Sequence, residues 1–172
     1  MIDDARRAID YATDRGVVVI AAAGNEFFPL CDEPAFSADA ICVIATTVEE
    51  TKATYSNFNL NGGPFNVVSG PGGAAFLSCE ENIISTIPSG AGGFCTENVG
   101  TPGYDFYAGT SMATPRVAGI AALLTAQGRS RANVARVLKS TARTPPLNTR
   151  GTYTPAYGFR IVDAKAAVAA PR

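Results

Sequence analysis

The chain has 172 residues, 47% of them apolar and 17% charged, against a charged share of roughly 25% in ordinary soluble domains. That balance excludes charge-driven disorder and predicts one folded domain with a real core, or part of one. With 14 Lys plus Arg against 15 Asp plus Glu, the net charge of −1 offers no cationic footprint for nucleic acid or an anionic membrane surface, and the absence of histidine removes the commonest base near neutral pH and the commonest zinc ligand.

Ile2, Ala5, Ala8, Ile9 and Ala12 share one helical face and Gly16 follows as a stop, which predicts an amphipathic helix. Val17 to Ile20 is a β-branched run without alternation, the pattern of a parallel strand covered on both faces. Ile41 to Val48 and Phe65 to Val68 repeat the strand signal, and Ile83 to Ile87 is a further candidate. The Gly and Pro clusters Asn61 to Pro64 and Gly70 to Gly73 mark loops. The Gly-rich, aromatic stretch Ser89 to Gly109 reads as a long surface loop with room for a hairpin.

From Ser111, Val117, Ile120, Ala121 and Leu124 keep helical spacing while Ala118, Gly119, Ala122 and Leu123 fill the other faces, so this helix is expected to run through the interior. Val134, Val137, Leu138 and Thr141 mark another helix, and Ala164 to Ala169 a short terminal one. The order predicts an α/β fold on a parallel sheet, residues 1–172 forming a single unit without repeats or linkers. No apolar run approaches the ~18 residues of a membrane span, and Asp3, Asp4, Asp10 and Asp14 spoil the basic start of a signal peptide. Cys31, Cys42, Cys79 and Cys95 contain no Cys-x-x-Cys pair, which leaves two disulfides or four buried thiols rather than a zinc site. Loop-closure entropy favours the sequential pairing, 31 with 42 and 79 with 95, among the three connectivities.

Chemistry concentrates in two places. In Gly109-Thr110-Ser111-Met112-Ala113-Thr114-Pro115 a Gly-rich loop turns directly into a helix, and Pro115 is expected in the first turn, where N–H groups have no intrahelical partner to lose. Ser111 then sits where free N–H groups and the helix dipole stabilise a developing negative charge, although an N-cap explains a serine there equally. In Ala21-Ala22-Ala23-Gly24-Asn25-Glu26 a small-residue strand end opens into Gly-Asn, which places an amide beyond the carboxyl end of a strand or simply makes a turn.

Taken together, these segments closely resemble the subtilisin-like serine peptidases, the subtilases. Gly109 to Pro115 with Val117, Ala118 and Gly119 resembles the segment around the family nucleophile, and Gly16 to Glu26 the segment with its oxyanion-hole asparagine. Weaker agreement runs through Pro34-Ala35, Ile41 to Ala45, Tyr55 to Phe58, Gly70 to Gly72, Ile84 to Pro88, Tyr157-Gly158 and Ile161 to Ala167. The resemblance implies a subtilisin-like parallel-sheet fold with flanking helices, an acylated Ser111, and oxyanion donors from the Asn25 side chain and the Ser111 N–H. It further implies a specificity-pocket wall at Ala21, Ala22, Ala23 and Gly24, and a cis Glu33–Pro34 bond. Asp32 falls close to the position at the base of that pocket, where a carboxylate favours Lys or Arg in the substrate; the alternative is a solvated loop acid.

The resemblance also implies what this chain lacks. The family order is Asp, His, Ser, so the segments carrying the first two would lie upstream of residue 1 and the N-terminal part of the domain is missing. Without histidine Ser111 has no family-type base, and no spacing makes a serine–lysine dyad with Lys52, Lys139 or Lys165. Arg116 stands where the family commonly has a non-catalytic histidine. The implied function is serine endopeptidase, inactive as this chain alone, with a non-catalytic peptide-binding or regulatory remnant as the rival. Expected partners are a peptide or protein substrate and the missing half of the domain, and the expected setting is extracellular. No cofactor is required; the family's frequent calcium stays open, although Asp39, Glu49 and Glu50 lack ligand-loop spacing. A truncated sheet predicts an unstable or aggregating chain, or one completed by another chain.

Overall fold

Three short strands rich in small and β-branched residues form the centre of the molecule, β1 (Ile20–Ala22), β2 (Ile41–Thr46) and β3 (Val67–Pro71), parallel and in the order β1-β2-β3. Ile20 pairs with Ile41 and Cys42 with Val67 at the start of the two registers. The computed structural model describes residues 2–36, 38–60, 66–74, 79–88, 90–92, 95, 102–144 and 153–172. Before β1 lies α1 (Ile2–Thr13). After β3 come a 3-10 turn at Cys79–Glu81 and an antiparallel pair, β4 (Ile83–Thr86) with β5 (Tyr104–Tyr107), followed by α2 (Thr110–Ala126), α3 (Arg131–Thr141) and α4 (Ala164–Ala169).

β2 is buried along its whole length, and its alternating side chains separate two packed layers. Val43 and Ala45 meet Val117, Leu124, Val134 and Leu138 of α2 and α3, while Cys42 and Ile44 face Ala23, Cys31, Ala35 and Val67 beneath the 23–36 loop. Beyond β3 the segment at Ile161 continues the sheet, with the Val162 N–H donating to Ser69 O and the Ser69 N–H to Arg160 O. The helix ends follow local chemistry. Ser130 caps α3 by accepting from the Asn133 N–H, Asp163 caps α4 by accepting from the Ala166 N–H, and Gly128 turns the chain between α2 and α3.

Disulfides join Cys31 to Cys42 and Cys79 to Cys95, the sequential pairing, and the Glu33–Pro34 bond is cis. The helices at 131–141 and 164–169 lie where periodicity puts them.

Other expectations are corrected. β1 is half-buried rather than covered on both faces, and it begins at Ile20 with Val17 exposed, because α1 does not cover it and α1 itself is exposed over most of its described length. α2 buries Ala113, Val117, Ile120, Ala121 and Leu124 only among its apolar residues; Ala118, Gly119, Ala122 and Leu123 face solvent, so the helix lies on the sheet and does not run through an interior. Pro115 is the sixth helical residue, past the first turn, and it leaves the Ser111 carbonyl without the usual i+4 donor. Gly70 and Pro71 belong to β3, so the loop starts at Gly72. The stretch read as a surface loop contributes β5, which pairs with β4 outside the parallel sheet. Phe65, Asn61 to Pro64 and much of Ser89 to Thr101 lie outside the described residues. No helix among the described residues is long and apolar enough to cross a membrane.

Candidate active site

The carboxyl end of β1 delivers the chain through buried Ala23 to Gly24 and Asn25, and the fold carries the amino end of α2 to the same place. The Asn25 Oδ1 accepts from both the Thr110 N–H (3.0 Å) and the Thr110 hydroxyl (3.1 Å), and that hydroxyl accepts from the Gly24 N–H (3.2 Å). Thr110 is fully buried, so the amide orientation is fixed from below. With its oxygen engaged, Asn25 presents its Nδ2 donors outward.

At the start of α2 the Thr110 N–H is taken by Asn25, and those of Met112 and Ala113 donate to Gly109 O. Among the described residues this leaves the Ser111 N–H without an intrahelical partner, at the positive end of a 17-residue helix. A Cβ placed on Gly109 would lie 3.6 Å from the Ser111 N and 3.8 Å from the Asn25 Nδ2. Both donors therefore border one small space that glycine keeps open. Ser111 and Asn25 are exposed, so an incoming oxygen can reach them.

The approach of Gly109 is itself held. Its N–H donates to Gly72 O (2.9 Å), and the Tyr55 hydroxyl donates to the carbonyls of Gly72 and Gly73 (2.9 Å each). Burial pushes the Tyr55 hydroxyl up to about 12, partly offset by a backbone bond from Gly109. On the other side of Ser111 an open groove of about 250 Å³ is lined by Ile83, Ile84, Ser85, Met112, Pro115 and Arg116. None of Lys52, Lys139 and Lys165 lines it; the Lys52 ammonium donates to the carbonyls of Ala53 and Ser56.

Asp32 stands behind Gly24, which has φ +104°; a Cβ there would fall 2.3 Å from the Asp32 Oδ2 and from the Asn57 Nδ2, so only glycine fits. Buried Asn57 saturates all of its side-chain capacity. Its Oδ1 accepts from the N–H groups of Glu26 and Phe28, and its Nδ2 donates to Glu26 Oε2 (3.1 Å) and Asp32 Oδ1 (3.2 Å). Asp32 is exposed; what burial it has, followed by the charge and hydrogen bonding of the adjacent Glu26 carboxyl, holds it above the ordinary aspartate value of 3.8. Ala21 and Ala22 are half-buried in β1 beside it.

The structure thus brings Asn25, Gly24 and Asp32 together on one side of the α2 terminus that carries Ser111. Sequence pattern singles out neither Thr110, Glu26 nor Asn57. Thr110 is detectable as the hydroxyl residue directly before Ser111, and Asn57 as a polar residue within Tyr55 to Phe58, but their partners lie 85 and 31 residues away.

Comparison with known proteins identifies the family. The family model of the subtilases, peptidase family S8, matches residues 2–160, and the chain belongs to the subtilase family. It is 39% identical over 169 residues to an extracellular protease of Xanthomonas campestris pv. campestris, covering 96% of this chain and 26% of that protein. It is 35% identical over 148 residues to thermitase of Thermoactinomyces vulgaris, covering 86% of this chain and 44% of the relative. Among solved structures a protease of Pseudoalteromonas arctica superposes with a TM-score of 0.76 at 34% identity, over 95% of this chain and 45% of that one. The chain therefore spans between about a quarter and a half of the length of these relatives.

Proposed function

We propose that this chain carries the nucleophile and the oxyanion donors of a serine endopeptidase whose acid–base pair comes from polypeptide outside these 172 residues. The observation that supports this best is the pair of hydrogen bonds that Thr110 donates to the Asn25 oxygen, which fixes the Asn25 amide and leaves its Nδ2 donors free beside Gly109, near the Ser111 N–H. In the proposed reaction the Ser111 Oγ attacks the scissile carbonyl carbon while its proton passes to a histidine of the completing segment. The carbonyl oxygen becomes an oxyanion held by the Asn25 Nδ2 and the Ser111 N–H; the C–N bond then breaks, the amine leaves with that proton, and water hydrolyses the acyl-enzyme. No cofactor enters these steps. Among the described residues no three His, Cys, Asp or Glu side chains gather as a cation site, and no step here draws on calcium.

Ala21 to Gly24 is the proposed wall of the pocket for the side chain preceding the scissile bond, with Asp32 at its base favouring Lys or Arg. The completing segment has a surface to meet. Between α2 and the turn into β1 an apolar groove of about 490 Å³ is lined by Val17, Val18, Ile20, Ala118, Ala121 and Ala122. Disulfides and an extracellular relative support a secreted setting.

The test is co-expression with the upstream half of the catalytic domain and assay of peptide amides ending in Lys or Phe. The expected result is Ser111-dependent cleavage, with Lys preferred and that preference reduced at least tenfold in Asp32→Asn. Cleavage with Phe preferred overturns the role of Asp32 alone; absence of cleavage in a folded complex overturns the enzyme reading. The second reading, a peptide-binding or regulatory remnant, is favoured by one observation, the lack of any histidine in the chain, and peptide binding without cleavage in that complex is its expected outcome.

A further inference from the structure

At the amino ends of the strands, the opposite end of the sheet from Ser111, α3 and the sheet edge enclose an open groove of about 280 Å³. Its floor is apolar, made by Val18, Val19 and Ile41 with Ala135 of α3. Its helical rim carries three cations, Arg131, Arg136 and Lys139, opposed by one carboxylate, Asp39. Asp39 is already engaged by Arg131, and the Lys139 ammonium donates to Asn66 Oδ1 (2.8 Å), a neutral acceptor. Arg136 is exposed and, among the described residues, has no ion-pair partner. Burial also holds Lys139 below the ordinary lysine value of 10.5.

We propose that this groove is a second binding site, remote from the candidate active site, that takes an extended polypeptide segment bearing an acidic side chain next to aliphatic ones. The charge and the floor each restrict the ligand. A carboxylate matches the planar Arg136 fork and the Lys139 ammonium, while aliphatic neighbours remove water from the valines and alanine. Three cations on one helix are too few to track a polyphosphate backbone, and the chain as a whole is slightly acidic. Length selects a peptide over a small acid: from Arg131 to Lys139 the helix rises about 12 Å, the span of roughly four extended residues.

Acetyl-Val-Glu-Val-Leu-amide, its Gln counterpart and hexanoate are titrated into the complex of the isotope-labelled 172-residue chain with the upstream half of the catalytic domain and followed by amide chemical shifts of the labelled chain. The expected result is saturable binding of the Glu peptide, with shifts confined to residues 18–19, 39–41 and 131–139. Affinity is expected to fall at least tenfold for the Gln peptide, for hexanoate and in the exposed variant Arg136→Glu, whose unchanged melting temperature establishes its fold. The site proposal is overturned by equal binding of the Gln peptide, by an unaltered Arg136→Glu, or by no saturable shift. Hexanoate binding as tightly as the peptide overturns the peptide as occupant.

Discussion

Thr110 decides where Asn25 points, and the two bonds it donates to one oxygen make it a positioning residue beneath a donor. Removing one oxyanion donor costs on the order of 10²–10³ in turnover, a scale set by the oxyanion-hole asparagine of a subtilisin and borrowed for this chain. Asn25→Ala in the completed enzyme is therefore expected to lower kcat by about that factor with little change in KM, because the bond forms only as charge develops. Thr110→Val keeps the volume and the N–H but loses the hydroxyl, and is expected to lower kcat by less, again with KM nearly constant. Steady-state kinetics on both variants checks the pair, and a rise in KM with kcat unchanged would count against the assigned roles. Asn25 and Ser111 are legible in the sequence because each lies in a local motif, Gly24-Asn25 and Gly109-Thr110-Ser111. Thr110, Asn57 and Glu26 are not, because their significance is a contact between distant segments that no local pattern encodes.

At the scale of elements, buried α/β packing is legible where periodicity and burial agree, as in β2, α3 and α4. It fails where an apolar sequence is not matched by neighbours. The unbroken apolar character of α2 and the Val17 to Ile20 run imply cover on all sides, and the structure covers one side only. The pairing of β4 with β5 is also hidden, since the partner strand lies in a Gly-rich stretch with no period. Away from the site, Arg143 forms a two-bond ion pair with Glu50, tying the end of α3 to the turn after β2. The hydrogen bonds from Arg143 hold Glu50 below its ordinary value of 4.5, against a smaller opposing effect of burial. A carboxylate depressed in the fold stabilises it above the unfolded value and loses that contribution as pH falls through the folded one. Melting temperature is therefore expected to decline as pH drops below about 4.5, and Glu50→Gln is expected to shrink this decline. An identical acid limb in the variant would show that the pair is not its source.

At the scale of the molecule, the described residues leave the face formed by α2 and β1 uncovered. β1 pairs only with β2 among the described residues, Leu123 is 54% exposed, and the small residues Ala118, Gly119 and Ala122 allow a neighbour to approach α2 closely. A contiguous apolar surface beside an open strand edge favours association, so the 172-residue chain is expected to aggregate on its own. Leu123→Ser is expected to reduce light scattering while changing stability by no more than about 0.5 kcal/mol, since the side chain is exposed. The same change is expected to weaken complementation by the upstream half, and unaltered complementation would place the contact elsewhere. This face connects the fold to the proposed chemistry, because the residues it leaves uncovered lie on the helix that carries Ser111.

The most direct measurement is labelling of the protein from its natural source by a serine-reactive phosphonate, with intact mass and adduct position read from the same sample. The expected result is a species heavier than these 172 residues, modified at Ser111 and not at any other serine. A folded species of 172 residues that takes no label, or an adduct on another residue, would contradict the assignment of Ser111 as the nucleophile of a larger enzyme.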